Sequence, residues 1–418
     1  MVLSKKILPY LVFAFPVVID TLNGMSKGAS GEGIGYWGII YRGLIILLSL
    51  KYVFNNSYSN YIRPIFLISF VAIFYHITCQ DALVSDEFTT LSKVLYFYFI
   101  LSLICCNKNF NNNIDILLDA SICYGVVASL ILMCSYIFRW GYSSYSDDYF
   151  GAKGFFIAMN DVGLCIIILN SLSFLMYSKS LKKRYLLYCS IMTLGASVVG
   201  SMACTFGTLV VIIAFIFSTF VFKYNDYKSS ISAKILVSVL IFLFVSYVVA
   251  FVANAILNDA YLSSKYSDIG SNIFELSGRS YLIDVGLNVI KQFNLPEILF
   301  GIGNRFNYIV GHELGYSFAK GVESDPYDLI GYFGYPLTML LMWLPIKFLF
   351  KSIKNYISKK TITSYWSFVI LFLFIGHAIY GGHAYTSPLV LPYISIVIYI
   401  INKESKSKKS NDVRISQH

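Results

Sequence analysis

Long apolar runs separated by short polar breaks recur along almost the whole chain, near 7–22, 36–50, 64–79, 91–106, 114–138, 155–177, 185–200, 205–222, 235–257, 327–346, 364–381 and 385–402. A helix needs about 20 apolar residues to cross the hydrocarbon core of a bilayer, and most of these runs approach that length. The pattern predicts an all-α polytopic membrane protein of about 12 transmembrane helices. The first run follows Lys5 and Lys6 without a small-residue cleavage site and leads straight into further runs, so it reads as an uncleaved first helix.

One break differs from the rest. Residues 258–326 separate the ninth and tenth runs, and connections of that length are uncommon unless they carry function. The chain therefore divides into helices 1–9 (1–257), one large loop (258–326), helices 10–12 (327–402) and a basic tail (403–418) polar enough to read as unstructured. Within the loop, SGRSYLIDVGLNVIKQF (277–293) places Leu282, Val285, Val289, Ile290 and Phe293 on one helical face. That spacing predicts an amphipathic helix, capped by Ser277, that either lies on the membrane or caps the bundle. Gly301, Gly303, Gly311 and Gly315 follow and mark turns.

Composition agrees with lipid as the main solvent: 57% of residues are hydrophobic and 13% charged, with a mean hydropathy of +0.67. The net charge of +10 raises the possibility of nucleic acid, but the distribution argues against it. With the N-terminus in the cytoplasm, alternate connections and the tail hold 22 of the 32 lysines and arginines and only five acids. This is the positive-inside pattern, and it places both termini in the cytoplasm with the large loop outside. The eight cysteines form no CxxC pair and stand at no zinc-ligand spacing with histidine, so neither a disulfide framework nor a metal is expected.

Several groups could carry chemistry. Arg279 and Arg305 stand on the large loop, and the planar guanidinium suits bidentate binding of diphosphate; the same side chains could equally meet acidic loop residues or headgroups. Arg42 lies inside the second run, where an ionisable residue is a functional candidate by default. Asn160 and Asp161 near the start of the sixth run could line a water-filled cavity shared with Arg42, although capping suffices to explain Asp161. His312 on the loop and His383 in GGHAYTSP both reach the outer face and could exchange protons near neutral pH, whereas His76 and His377 read as core residues. The glycines of GIG lack a surrounding βαβ unit, and Tyr316 breaks an HExxH pattern after His312-Glu313. Finally, Glu323, Asp325 and Asp328 crowd the start of the tenth run. A helix N-terminus with Pro326 in its first turn accounts for one acid, taken as Asp325, and leaves the other two to explain.

The order LSGRSYLIDVGLNVI…LPEILFGIGNRF…VESDPYDLIGYFGYPL, followed by GHAYTSPLVLPY, resembles the O-antigen polymerase (Wzy-type) family, within the superfamily it shares with the O-antigen ligases. Residue-level likeness is concentrated in 277–392, and the span count and large loop extend it to most of the chain. The resemblance implies a glycosyltransferase of the bacterial inner membrane that joins undecaprenyl-diphosphate-linked oligosaccharide repeats at the periplasmic face, with no cofactor. It implies diphosphate binding by Arg279 and Arg305; Asp328, His383 and Arg42 join them as substrate-binding candidates, with Glu323, His312 and Asp325 as catalytic candidates and Asp328 positioning an arginine. Membrane lipid and a chain-length regulator protein are the further partners it implies. Ligases usually carry a His-Asn pair where this chain has Glu323-Ser324, which favours a polymerase over the alternative of a ligase acting on lipid A–core. A transporter or flippase of lipid-linked sugars is the other alternative, and it fits less well because the loop gathers so many of the ionisable groups.

Overall fold

A computed structural model describes residues 7–28, 36–80, 82–144, 151–222 and 279–415. The chain folds as α1 (Ile7–Phe13), α2 (Pro16–Lys27), α3 (Trp37–Val53), α4 (Ser59–Cys79), α5 (Val84–Cys106), the short α6 (Lys108–Asn111) and α7 (Ile114–Phe138). A two-stranded antiparallel ribbon of β1 (Tyr142–Ser143) and β2 (Ala152–Gly154) leads to α8 (Met159–Ser180), α9 (Lys183–Val198) and α10 (Met202–Val221). After the segment outside the described residues come α11 (Arg279–Ile290), α12 (Leu295–Phe300), α13 (Arg305–Glu313), α14 (Asp325–Lys359), α15 (Ile362–Tyr380) and α16 (Leu391–Ile415). The ninth predicted span, 235–257, and the first part of the large loop, 258–278 with Ser277, lie outside the described residues.

Among the described residues, eight helices are long and apolar enough to cross a membrane: α1 with α2, α4, α5, α7, α8, α10, α14 and α15. The architecture is that of an all-α polytopic membrane protein. The central helix is α8, with 83% of its most apolar stretch buried in the bundle. Inside the bundle Ser171 Oγ donates back to the Ile167 carbonyl of the same helix at 2.9 Å, while Asn170 Nδ2 donates across to Thr193 Oγ1 of α9 at 3.0 Å. Such bonds join helices where lipid offers no hydrophobic drive.

Side-chain bonds tie the helix ends into two opposite faces. At one end Lys359 Nζ donates to the Glu404 carbonyl (2.7 Å), Ser364 Oγ to Glu404 (2.8 Å) and Lys351 Nζ to Asn402 (3.1 Å). At the other, 76–87 meets 297–305, and 322–328 meets 379–385.

Three predicted boundaries are corrected. α14 runs from Asp325 to Lys359, longer than its apolar run, and its backbone leaves helical geometry at Gly334 (φ 74°, ψ 174°), so it is two helices joined at a kink. The last helix begins at Leu391 instead of 385, because residues 384–390 fold as consecutive turns after the left-handed His383, with the Tyr385 N–H donating to Asp325. The tail expected to be unstructured continues this helix to Ile415. Extending an already packed helix adds one hydrogen bond per residue with no nucleation cost.

Candidate functional site

The amphipathic stretch of the large loop caps the bundle. α11 starts at Arg279, and Val289 and Ile290 are buried with Ile302, Phe306, Val310 and Val322 in a small core of their own. Leu282, Val285 and Phe293 pack against the same cluster, as do Tyr327 and Ile330 from the first turns of α14. Of the two expected placements, on lipid or on protein, this apolar face takes the protein.

The turn Gly301–Asn304 is the point of attachment. The N–H groups of Ile302 and Gly303 donate to the carbonyls of Gly331 (3.0 Å) and Tyr332 (3.1 Å). Beneath the turn, His76 and Glu87 form a fully buried pair with Nδ1 and Oε2 at 2.7 Å. His76 Nε2 lies 2.8 Å from the Phe300 carbonyl, and Glu87 Oε1 accepts the Asn304 N–H at 2.9 Å. The pair thus holds both ends of the turn against α4 and α5. Gly303 has φ +62°, and a Cβ there would fall 2.9 Å from His76 Nδ1, so only glycine fits.

Beside this latch opens a cleft of about 270 Å3 whose polar lining is Gln80, Asn288, Gln292, Glu297, Arg305 and Glu313, with Phe293 on its wall. Arg305 opens α13 and donates from Nη1 to Gln80 Oε1 (2.9 Å). Gln80 in turn donates to Tyr75 Oη (3.0 Å) and Glu297 Oε1 (3.3 Å). Asn294 and Glu297 form a capping box at the start of α12, which fixes the Glu297 carboxylate.

The three acids divide differently from expectation. Asp328, assigned to hold an arginine, instead accepts the backbone N–H of Val322 (2.7 Å) and Ser324 (3.3 Å), so it closes the loop in front of α14. Asp325, assigned to cap the helix, is 1% exposed and accepts the Tyr385 N–H at 2.9 Å, clamping the 381–390 connection onto α14. Ser324 Oγ adds a bond to the Ile379 carbonyl at 2.8 Å. A carboxylate takes whichever N–H groups tertiary packing brings to it, and here those belong to other segments. Glu323 sits in the left-handed region (φ 60°) and pairs with Lys320. Its backbone presses on Gly382, where a Cβ would meet the Glu323 carbonyl carbon at 2.6 Å.

His383, exposed and also left-handed (φ 64°), is the centre of a charged group. Asp161, Asp325 and Asp328 all lie within electrostatic range of its imidazole. Asp161 also lies within electrostatic range of Lys93 and Arg42, and Lys93 within that of Arg42 and Lys27. Arg42 is ion-paired through Nη2 to Asp20 Oδ1 at 2.6 Å, and Asp20 accepts the Tyr124 hydroxyl at 3.1 Å while only 7% exposed. The structure therefore groups Asp325 and Asp328 with His383, and Asp161, which sequence reasoning leaned towards a cap, links that group to Lys93 and Arg42. Arg305 belongs to the cleft, a second neighbourhood on the same face. His312 stands exposed in the last turn of α13, and the side chain of Arg279 lies outside the described ones.

Sequence reasoning missed Asp20, Lys93, Glu87, Glu297 and Gln80. Asp20 and Lys93 carried the signal that identified Arg42, an ionisable residue within an apolar run. Among the described residues, no three His, Cys, Asp or Glu side chains converge in a metal-binding arrangement. No protein-family model and no curated protein matches this chain.

Proposed function

We propose that the chain is a glycosyltransferase that joins undecaprenyl-diphosphate-linked oligosaccharide repeats into a surface polysaccharide, at the outer face of a bacterial inner membrane. The observation that carries this reading is the gathering of Lys27, Arg42 and Lys93 with Asp161, His383, Asp325 and Asp328 at one end of an apolar helix bundle. Ionisable side chains within or beside apolar spans are costly and mark substrate pathways or reaction sites. Here they lie near the helix ends, where a lipid-anchored diphosphate would lie.

The opposite end carries Lys51, Lys108, Lys182, Lys183, Arg184, Lys347 and Lys360. By the positive-inside rule that end is cytoplasmic, which puts the charged group and the latched loop outside. In this reading the chain has about twelve spans, 235–257 among them, with both termini inside.

The reaction needs a donor whose anomeric carbon carries the lipid diphosphate and an acceptor sugar hydroxyl on a second lipid-linked repeat. The hydroxyl oxygen attacks the anomeric carbon, and the bond from that carbon to the diphosphate oxygen breaks, its electron pair leaving with the diphosphate. Lys27, Arg42 and Lys93 neutralise the charge that grows on the leaving group. His383, held among three carboxylates, accepts the hydroxyl proton; general-base help of this kind contributes about 10²–10⁴-fold. The products are a longer lipid-linked chain, a free lipid diphosphate and one proton.

Deleting the gene and examining surface glycan tests this reading. A polymerase leaves single repeats on the cell surface and no long chains. Lipid-linked polymer accumulating with nothing transferred would indicate a ligase, and blocked translocation of lipid-linked units would indicate a flippase.

A further inference from the structure

We infer that the cleft between α11, α12 and α13 is a saccharide subsite, which takes sugar rings of the lipid-linked substrate and leaves the diphosphate to the bundle. This deepens the proposed reaction and rests on it. The lining carries the evidence. Gln80, Asn288 and Gln292 contribute carboxamides, each of which both donates and accepts, and Glu297 and Glu313 contribute acceptors. Arg305 is the single cation among these cleft residues, so two carboxylates stand against one guanidinium. A diphosphate brought here would meet an excess of negative charge, and none of the amides would compensate it. A neutral, hydroxyl-rich ring makes use of every one of these groups, because a hydroxyl is both donor and acceptor.

The groups are also organised in advance. Gln80 is 8% exposed and already joins Tyr75, Glu297 and Arg305 in one hydrogen-bonded chain, and the Glu297 carboxylate is fixed by the Asn294 capping box. Arg305 has five N–H groups and spends one on Gln80, which leaves donors for the ligand. Phe293 supplies an apolar wall for the C–H face of a ring. At about 270 Å3 the space is near the lower end of ligand pockets, roughly 300 Å3. That suits a short saccharide and excludes a polymer. The cleft sits on the segment latched by His76 and Glu87, so its floor is anchored through Glu87 to α5, the helix that also carries Lys93.

The test compares two lipids bound to the full-length protein in nanodiscs: bare undecaprenyl diphosphate, and undecaprenyl diphosphate carrying the host's own repeat. Asn288→Ala with Gln292→Ala removes two exposed amides, one from α11 and one from the turn after it, at the expense of only a 3.5 Å surface contact from Lys291 to Asn288. Losing about one net hydrogen bond's worth from each side chain weakens binding of the glycan-bearing lipid about 30-fold. Binding of the bare lipid stays as in the wild type. Arg42→Gln with Asp20→Asn does the reverse, weakening both lipids together. Equal loss for both lipids in the cleft variant, or no loss for either, overturns the subsite. Wild-type protein that binds neither lipid better than phosphatidylglycerol overturns the polymerase reading itself, and the subsite with it. A thermal melt within a few degrees of wild type confirms that the cleft variant is folded.

Discussion

The His76–Glu87 pair makes a prediction that depends on nothing but geometry. Glu87→Ala removes the partner of two polar groups in the latch, the buried His76 Nδ1 and the Asn304 N–H, at 2.7 and 2.9 Å. Each such group left unsatisfied costs about 1–3 kcal/mol, so the change destabilises the latch by about 4 kcal/mol. Glu87→Gln keeps one amide oxygen and the volume and loses the charge. A hydrogen bond to a charged group exceeds a neutral one by about 1–2 kcal/mol, and that difference is what the amide forfeits. The cost falls on the attachment of the 301–304 turn, because the bundle core of α7, α8 and α9 makes no use of Glu87. Hydrogen exchange followed by mass spectrometry reads this directly on peptides spanning 300–306. Opening of the turn rises about 100- to 1,000-fold in the alanine variant and about tenfold in the glutamine variant, at 1.4 kcal/mol per decade. Peptides from α8 stay protected in both. Unchanged exchange at 300–306 would refute the latch. A uniform increase through α8 would show instead that Glu87 supports the whole bundle.

Gly303→Ala places a methyl 2.9 Å from His76 Nδ1 at a φ of +62°, which costs about 1–3 kcal/mol in backbone strain alone; the same exchange peptides open, and polymer length in cells shortens. Asp325→Ala strands the buried Tyr385 N–H and lowers stability by about 1–3 kcal/mol in a thermal melt, whereas Asp325→Asn, which keeps an acceptor, recovers most of it. Arg42→Ala alone leaves the Asp20 carboxylate buried without its partner and destabilises by about 3–5 kcal/mol, while Arg42→Gln with Asp20→Asn restores stability to within about 1 kcal/mol. If Arg42 also serves the diphosphate, that stable double variant still makes no long chains in a complemented deletion strain. A normal ladder would reduce Arg42 to a structural partner of Asp20.

Much of the architecture was legible because lipid and bundle core demand the same residues. The runs at 64–79, 114–138 and 364–381 stay apolar all round, and each forms a helix close to its predicted limits. The helix at 277–293 was legible for a different reason: Leu282, Val285, Val289 and Ile290 keep helical spacing among polar neighbours. The latch was not legible. Glu87 and Asn304 are 217 positions apart, and the bond joins a side chain to a backbone N–H, which any residue could supply. Nor could the pattern assign roles to Asp325 and Asp328, since both satisfy the signals of a helix start. Their partners, Tyr385 and the Val322–Ser324 backbone, follow from how the 381–390 connection and the preceding loop fold onto α14. Lys93 follows DEFTTLS, and that polar prelude masked an ammonium lying within the apolar run.

Reconstitution tests the proposed activity most directly. Purified full-length protein in liposomes is given undecaprenyl-diphosphate-linked repeats of the host and nothing else, and the products are resolved by length. Polymerisation yields a ladder of lipid-linked chains, with one bare undecaprenyl diphosphate released for each new linkage, and the Arg42→Gln, Asp20→Asn protein yields neither. Repeats recovered unchanged with the wild type, or transferred only once lipid A–core is added, would contradict a polymerase.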